Sequence, residues 1–194
     1  MLTILKRVFS LPSRAERPQR SVLQSAVQHL VEAQSEDIDC FIEAVYQADA
    51  RGHSPWVIRD KAYLDTLRRA LEFTVHRQVW LQREQQQVAH WQGRLLALRH
   101  GEGPPLGMLL ACRPDDEAAW QLRFFFIDSD WKGSRHGTRL LQAAKRTLYG
   151  VPIQVRLPLE CASAVSSLEA AGFQRMHVDA DNVASFEAPA QWDE

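Results

Sequence analysis

The chain has 194 residues, 45% of them apolar and 24% charged, a balance that builds a globular core without disulfides or metal. A formal net charge of −1 lacks the basic excess of a general nucleic-acid binder, and no apolar run reaches the ~18–20 residues that cross a bilayer. Cys40, Cys112 and Cys161 lie far apart with no zinc-ligand spacing, and read as reduced thiols of a cytoplasmic protein.

Met1 to Arg20 carries Lys6, Arg7, Arg14, Arg17 and Arg20 against Glu16, with Leu2, Leu5, Val8 and Phe9 on one side of a short helix. Lys6 and Arg7 break the apolar stretch, so it is not a secretory signal. It reads either as a basic amphipathic segment touching an anionic membrane or a protein partner, or as a free basic tail. Beyond Pro18, Leu23, Val27, Leu30 and Val31 form one apolar stripe, which predicts an additional helix within residues 21–34. Ser35 is the expected N-cap of a second helix that buries Ile38, Phe41, Ile42 and Val45 and stops before Gly52-His53-Ser54-Pro55. A third begins near Asp60 with Leu64, Leu67 and Leu71 inward; from Thr74 to His90 the pattern permits a longer helix or a strand.

After Trp91 the grammar changes. Arg94 to Arg99 and Leu106 to Cys112 flank turn chemistry and predict a β-hairpin. Trp120 to Ile127 is aromatic and β-branched enough to predict a buried central strand. A glycine-containing link, Gly133 to Gly137, opens a helix from Thr138 to Leu148 with Leu140, Leu141, Ala144 and Leu148 inward. Ile153 to Leu159 is the next strand, Ser163 to Ala171 a short helix closed by Gly172 as a left-handed cap, and Phe173 to Val178 and Val183 to Phe186 two last strands. Helices, then an antiparallel meander, then strand–helix–strand–helix–strand predict an α+β fold: a mixed, mostly antiparallel sheet flanked by helices. The expected organisation is a basic tail over 1–20, the extra helix over 21–34, one domain over 35–188 and a C-terminal tail over 189–194.

The most informative segment is the strand–loop–helix from Phe124 to Leu141. The first amides of a helix have no partners within it and point at the loop, and the macrodipole adds partial positive charge. Gly133 and Gly137 allow close backbone approach, and Lys132, Arg135 and Arg139 add formal charge. A pyrophosphate is a ligand such a turn holds, although glycines at strand–helix turns also serve purely steric ends.

This segment resembles motif A of the GNAT superfamily of acyl-CoA N-acyltransferases, where a strand continues into Arg/Gln-x-x-Gly-x-Gly/Ala. Lys132 stands at the Arg/Gln position and Gly137 at the terminal Gly/Ala, while Arg135 replaces the intermediate glycine. Ala164 to Phe173 resembles the Ala-x-x-x-Tyr-x-x-x-Gly-Phe ending of motif B, with Gly172-Phe173 matched, Leu168 at the tyrosine position and Cys161 at the upstream asparagine position. The hairpin containing Gly107 is similar to the family's earlier strands. The resemblance covers about Ser35 to Phe186.

It implies acetyl-CoA as co-substrate, its pyrophosphate cradled by Lys132, Gly133, Ser134, Arg135, His136, Gly137 and Thr138 and its pantetheine paired near Phe126 and Ile127. It also implies N-acetyl transfer to a primary amine that the sequence does not identify. Leu168 cannot give the proton that the family's tyrosine often gives, and Tyr149 is a distant substitute or a packing residue. Glu160 and Asp128 are the candidate bases, against the reading that both are solvated acids at loop edges. His136 is expected to meet phosphate or solvent. Arg135 either pairs with a phosphate oxygen or blocks the turn. Cys161 is an acyl-accepting thiol or a packed cysteine; Trp56 and Trp131 line an acceptor pocket or the core. Asp115, Asp116 and Glu117 attract a cationic amine or form a solvated turn. Arg135, Leu168 and Cys161 together support an alternative of a different class, a catalytically inactive GNAT-fold module acting through protein partners.

Overall fold

The sheet is organised around one long hairpin and one crossover. A computed structural model describes residues 28–84 and 87–192. Its strands are β1 (Gln28–Glu32), β2 (Val79–Glu84), β3 (Gln87–His100), β4 (Gly107–Arg113), β5 (Trp120–Ile127), β6 (Ile153–Pro158), β7 (Gln174–Val178) and β8 (Val183–Ala188). They form an eight-stranded sheet in the order β1-β3-β4-β5-β6-β8-β7, with β2 also paired to β3. Every pairing is antiparallel except β5 with β6. The helices are α1 (Ile38–Asp49), α2 (Lys61–Arg77), α3 (His136–Thr147) and α4 (Ala162–Ala170). The expected α+β class is what the chain adopts.

Each face of the sheet carries its own core. One joins Phe41 and Val45 of α1 and Leu67 and Leu71 of α2 to Leu95, Met108, Leu110 and Phe124. The other joins Leu140, Leu141 and Ala144 of α3 and Val165 and Leu168 of α4 to Leu96, Leu109, Leu122, Val155 and Phe186. β3 and β4 alternate between these two cores, which is why both read as nearly continuous apolar runs.

The expected extra helix is overturned over the described residues. Residues 28–32, placed in an extra helix by the Leu30–Val31 stripe, form strand β1, antiparallel to β3 with Leu30 opposite Leu98. Four apolar residues at helical spacing are too few to outweigh a sheet edge that needs a partner. Residues 1–27, with the basic tail and the start of the expected helix, lie outside the described residues.

Ser35 does not cap α1. Residues Ser35–Asp37 form a 3-10 turn in which Asp37 Oδ2 accepts from the Gln34 amide at 2.8 Å, and Ser35 Oγ instead bonds His76 Nε2 at 3.2 Å. Asp37 also pairs with Arg99 of β3, tying the entrance of α1 to the sheet. α2 begins near Asp60 as expected, and Asp60 caps it, accepting from the Tyr63 amide at 2.8 Å. The ambiguous stretch after Thr74 resolves at Gln78, whose left-handed backbone ends α2 and turns the chain into β2.

Candidate functional site

The parallel pair β5–β6 holds the site because it is paired only at one end. Trp120, Gln121 and Leu122 register with Ile153, Gln154 and Val155; beyond them the strands part. The opening is a cleft of about 1540 Å³, large for a small-molecule site, and residues from β5, β6, α1, α3 and α4 line it.

At one end lies the turn from β5 into α3. The helix's first internal bond runs from the Arg139 amide to the Arg135 carbonyl at 3.0 Å. Among the described residues the amides of 132–138 find no acceptor, and all of these residues except Ser134 line the cleft at the positive end of the helix. Packing disfavours a side chain at Gly137: a Cβ there would stand 2.6 Å from Ser167 Oγ and 3.2 Å from Ser167 Cβ of α4. Arg135, at the position where the resembled motif has glycine, is left-handed at φ 58° and ψ 16°, a conformation that strains a non-glycine residue by about 1–2 kcal/mol. The loop therefore keeps a glycine-like backbone, and the Arg135 side chain is exposed. Lys132, Arg135 and Arg139 line the cleft without a carboxylate partner among the described residues. An anionic ligand suits this end.

Of the residues expected in the cradle, Phe126, Ile127, Lys132, Gly133, Arg135, His136, Gly137 and Thr138 line the cleft, whereas Ser134 does not. His136 departs from expectation in another way. It is buried at 5% exposure, its ring edge-on to Trp131, and the Gln28 side-chain nitrogen donates to its Nδ1 at 3.1 Å. Burial, reinforced by the nearby Arg139 charge, holds its pKa below the usual imidazole value, so the ring is a neutral structural link from α3 to the edge strand β1. The sequence carries no local signal for this contact, which spans 108 residues.

Asp128 and Glu160 are brought to the same cleft, at the ends of β5 and β6. Asp128 accepts from the Asp130 amide at 3.0 Å through Oδ1. Leu168 is completely buried under α3, so the wall where a proton donor was missing in sequence is apolar packing. Tyr149 is exposed beyond the far end of α3, and no tyrosine lines the cleft. The Cys161 thiol has its pKa raised by burial and by Glu160, which opposes the thiolate that acyl acceptance needs. Trp131 lines the cleft; Trp56 packs against Phe41, Trp80 and Phe124 in the core. The acidic turn is not part of the site: Asp116 pairs with Arg113 at 2.7 Å, at the opposite end of β5.

Sequence reasoning missed the second half of the cleft. Cys40, Glu43, Gln47 and Arg51 of α1 and its following turn face Arg123, Phe124 and Phe126 of β5 there. Arg123 reaches this half because β5 bulges. Leu110 pairs with Phe124 but Ala111 pairs with Leu122, leaving Arg123 as the extra residue. Across the bulge the alternation inverts: Trp120 and Leu122 pack towards α3, Phe124 and Phe126 towards α1.

No protein-family model and no curated protein matches the sequence. Solved structures do match. The spermidine N-acetyltransferase of Vibrio cholerae, determined with CoA and spermine, is similar over 84% of this chain and 95% of its own, with a TM-score of 0.63 at 11% identity. The aminoglycoside acetyltransferase AAC(6')-Ib, determined with coenzyme A, covers the same shares at a TM-score of 0.55 and 12% identity. A domain from Methanocaldococcus jannaschii matches 85% of this chain and 99% of its own, with a TM-score of 0.56 at 10% identity. The chain has the GNAT fold.

Proposed function

We propose that the protein is an N-acetyltransferase that moves an acetyl group from acetyl-CoA to a primary amine. The observation that carries this is the row of unpartnered amides at 132–138, set at the helix end of a cleft between two strands that part. The GNAT-fold neighbours with CoA in their structures support the same donor.

On this reading the amides of 132–138 hold the pyrophosphate, with Lys132, Arg135 and Arg139 neutralising its charge and that of the nucleotide's other phosphate. The backbone edge of β5 past Leu122, freed from β6, pairs with the pantetheine near Phe126 and Ile127. Acetyl-CoA supplies the thioester. Asp128, or Glu160 through water, takes the proton that the amine gives up as its nitrogen bonds the carbonyl carbon. The C–S bond then breaks, and the thiolate takes its proton from water in the open cleft. Cys40, Cys112 and Cys161, all free thiols, accord with a cytoplasmic setting.

A second reading has one specific observation in its favour. With Leu168 wholly buried and no tyrosine on the cleft wall, the fold could serve as a binding or regulatory module without chemistry. Calorimetric titration with acetyl-CoA separates the cases, with Gly137→Glu as control. Micromolar binding lost in the variant, followed by acetyl transfer to an amine, supports the enzyme. Binding without transfer to any amine favours the module, and absence of binding at millimolar acetyl-CoA overturns the acetyltransferase reading and leaves a module that acts through protein partners.

A further inference from the structure

The acceptor half of the cleft carries charges of both signs. Arg123 enters it from the sheet and Arg51 from the turn after α1, and neither has a carboxylate partner among the described residues. Among the described residues Arg123 makes only a 3.3 Å bond, from Nη1 to Gln121 Oε1 on its own strand. Its charge is felt by the Cys112 thiol buried beneath, whose pKa burial raises and Arg123 draws back. An arginine at a bulge in the cleft wall, with no counter-ion among the described residues, is poised for an anion from solution.

That anion is not the CoA pyrophosphate. Arg123 lies four residues before Ile127, about 13 Å back along an extended strand, and the amide cradle is farther still. Lys132, Arg135 and Arg139 already serve the cradle end. Arg123 instead stands where β5 and β6 begin to part, next to the last paired residue, Leu122. Glu43 of α1 lines this half with the guanidinium groups, and Asp128 lies past Ile127 towards the cradle. Glu43 accepts from Gln47 Nε2 at 2.9 Å, and Asp128 lies near enough to Cys40 to raise its thiol pKa. A polycation would set its positive charges against Arg51 and Arg123. A zwitterion matches both signs.

We infer that the acceptor is a small amine that also bears a carboxylate, of the amino-acid class, with Arg123 and Arg51 holding its anionic end. This rests on the acetyltransferase reading for the transfer step, but the anion site has its own readout. It is also the opposite preference to that of the neighbour determined with spermine.

The test pairs acids with their amides. Glycine, lysine and glutamate, the carboxamide of each, and spermidine are offered with acetyl-CoA to the full chain, and released thiol is followed. In parallel, each acid and its amide are titrated calorimetrically into the protein without acetyl-CoA. The expected result is a preference of about tenfold or more for at least one acid over its amide, in binding and in kcat/KM. Arg123→Gln should erase that preference by raising KM for the acid and not for the amide; Arg51→Gln should do so in part. Variants are accepted only with an unchanged circular-dichroism spectrum and melting midpoint. Amides or spermidine used as well as the acids, no acid-over-amide preference in binding, or equal damage to all acceptors by Arg123→Gln would overturn the inference. Failure of acetyl-CoA itself to bind, with acid preference intact, removes the acetyltransferase reading and leaves the anion site standing.

Discussion

The two halves of the cleft are built by different means. At the α3 end the functional groups are main-chain amides, positioned by a strand, a turn and a helix that follow one another in the chain. At the α1 end they are side chains from segments far apart in sequence, brought together by packing and by a bulge. The first half rests on the backbone path, which Arg135 keeps by taking a left-handed glycine conformation with an arginine side chain. The second half rests on the side chains themselves, because exchanging a guanidinium removes the charge it carries.

Disturbing the backbone half by packing should give the largest effects. Leu168→Ala opens a cavity under α3, where the side chain is fully buried, and should destabilise the protein by about 2–5 kcal/mol in urea unfolding. Leu168→Tyr should be destabilising by about 1–3 kcal/mol without a gain in kcat, since that position faces α3 and not the cleft. A gain in turnover there would show that the apolar wall opens to substrate.

A smaller effect isolates the close approach of α3 and α4. Gly137→Ala should weaken stability by about 1–3 kcal/mol, because the new Cβ meets Ser167 Oγ at 2.6 Å and Ser167 Cβ at 3.2 Å. Adding Ser167→Gly should recover most of that loss, and a purely additive pair would mean that the contact is not what excludes a side chain.

Arg135→Gly sharpens the contrast by acting in the opposite direction on structure and ligand. Relief of the left-handed strain should stabilise the chain by about 1 kcal/mol, read as a rise of about 2–4 °C in melting midpoint. Acetyl-CoA affinity should fall a few-fold through loss of one guanidinium. Tighter binding instead would mean that the arginine hinders the cradle.

The smallest effect is a pH dependence. His136 has a lowered folded-state pKa, so below about 6.5 the unfolded chain takes up its proton first. Its contribution to stability is therefore full above about pH 6.5 and is lost as pH falls through the folded-state value. His136→Asn should flatten the difference between urea midpoints at about pH 5 and about pH 7.5, relative to the unaltered chain. Gln28→Ala should weaken the same link, because that side chain donates to Nδ1.

Much of the fold was legible in sequence because its signals are local. Asp60 before an apolar stripe, turn residues between two apolar runs, and Gly172 after a short helix each report a boundary where it occurs. The strand–loop–helix of the cradle belongs to the same kind, with Lys132, Gly133 and Gly137 in order along one stretch of chain. What was misread depended on distant partners. The Leu30–Val31 stripe becomes a strand because β3 offers an edge to it, and His136 turns inward because Gln28 of that strand is there to meet it.

Sequence alone determined the mixed sheet, the crossover between β5 and β6, and a turn rich in unpaired amides, since each follows from hydrogen-bonding rules acting within a few residues. Tertiary structure alone decided which way Arg123 points. Its direction is set by a mismatch of one residue between β4 and β5, a property of their pairing that neither strand carries by itself.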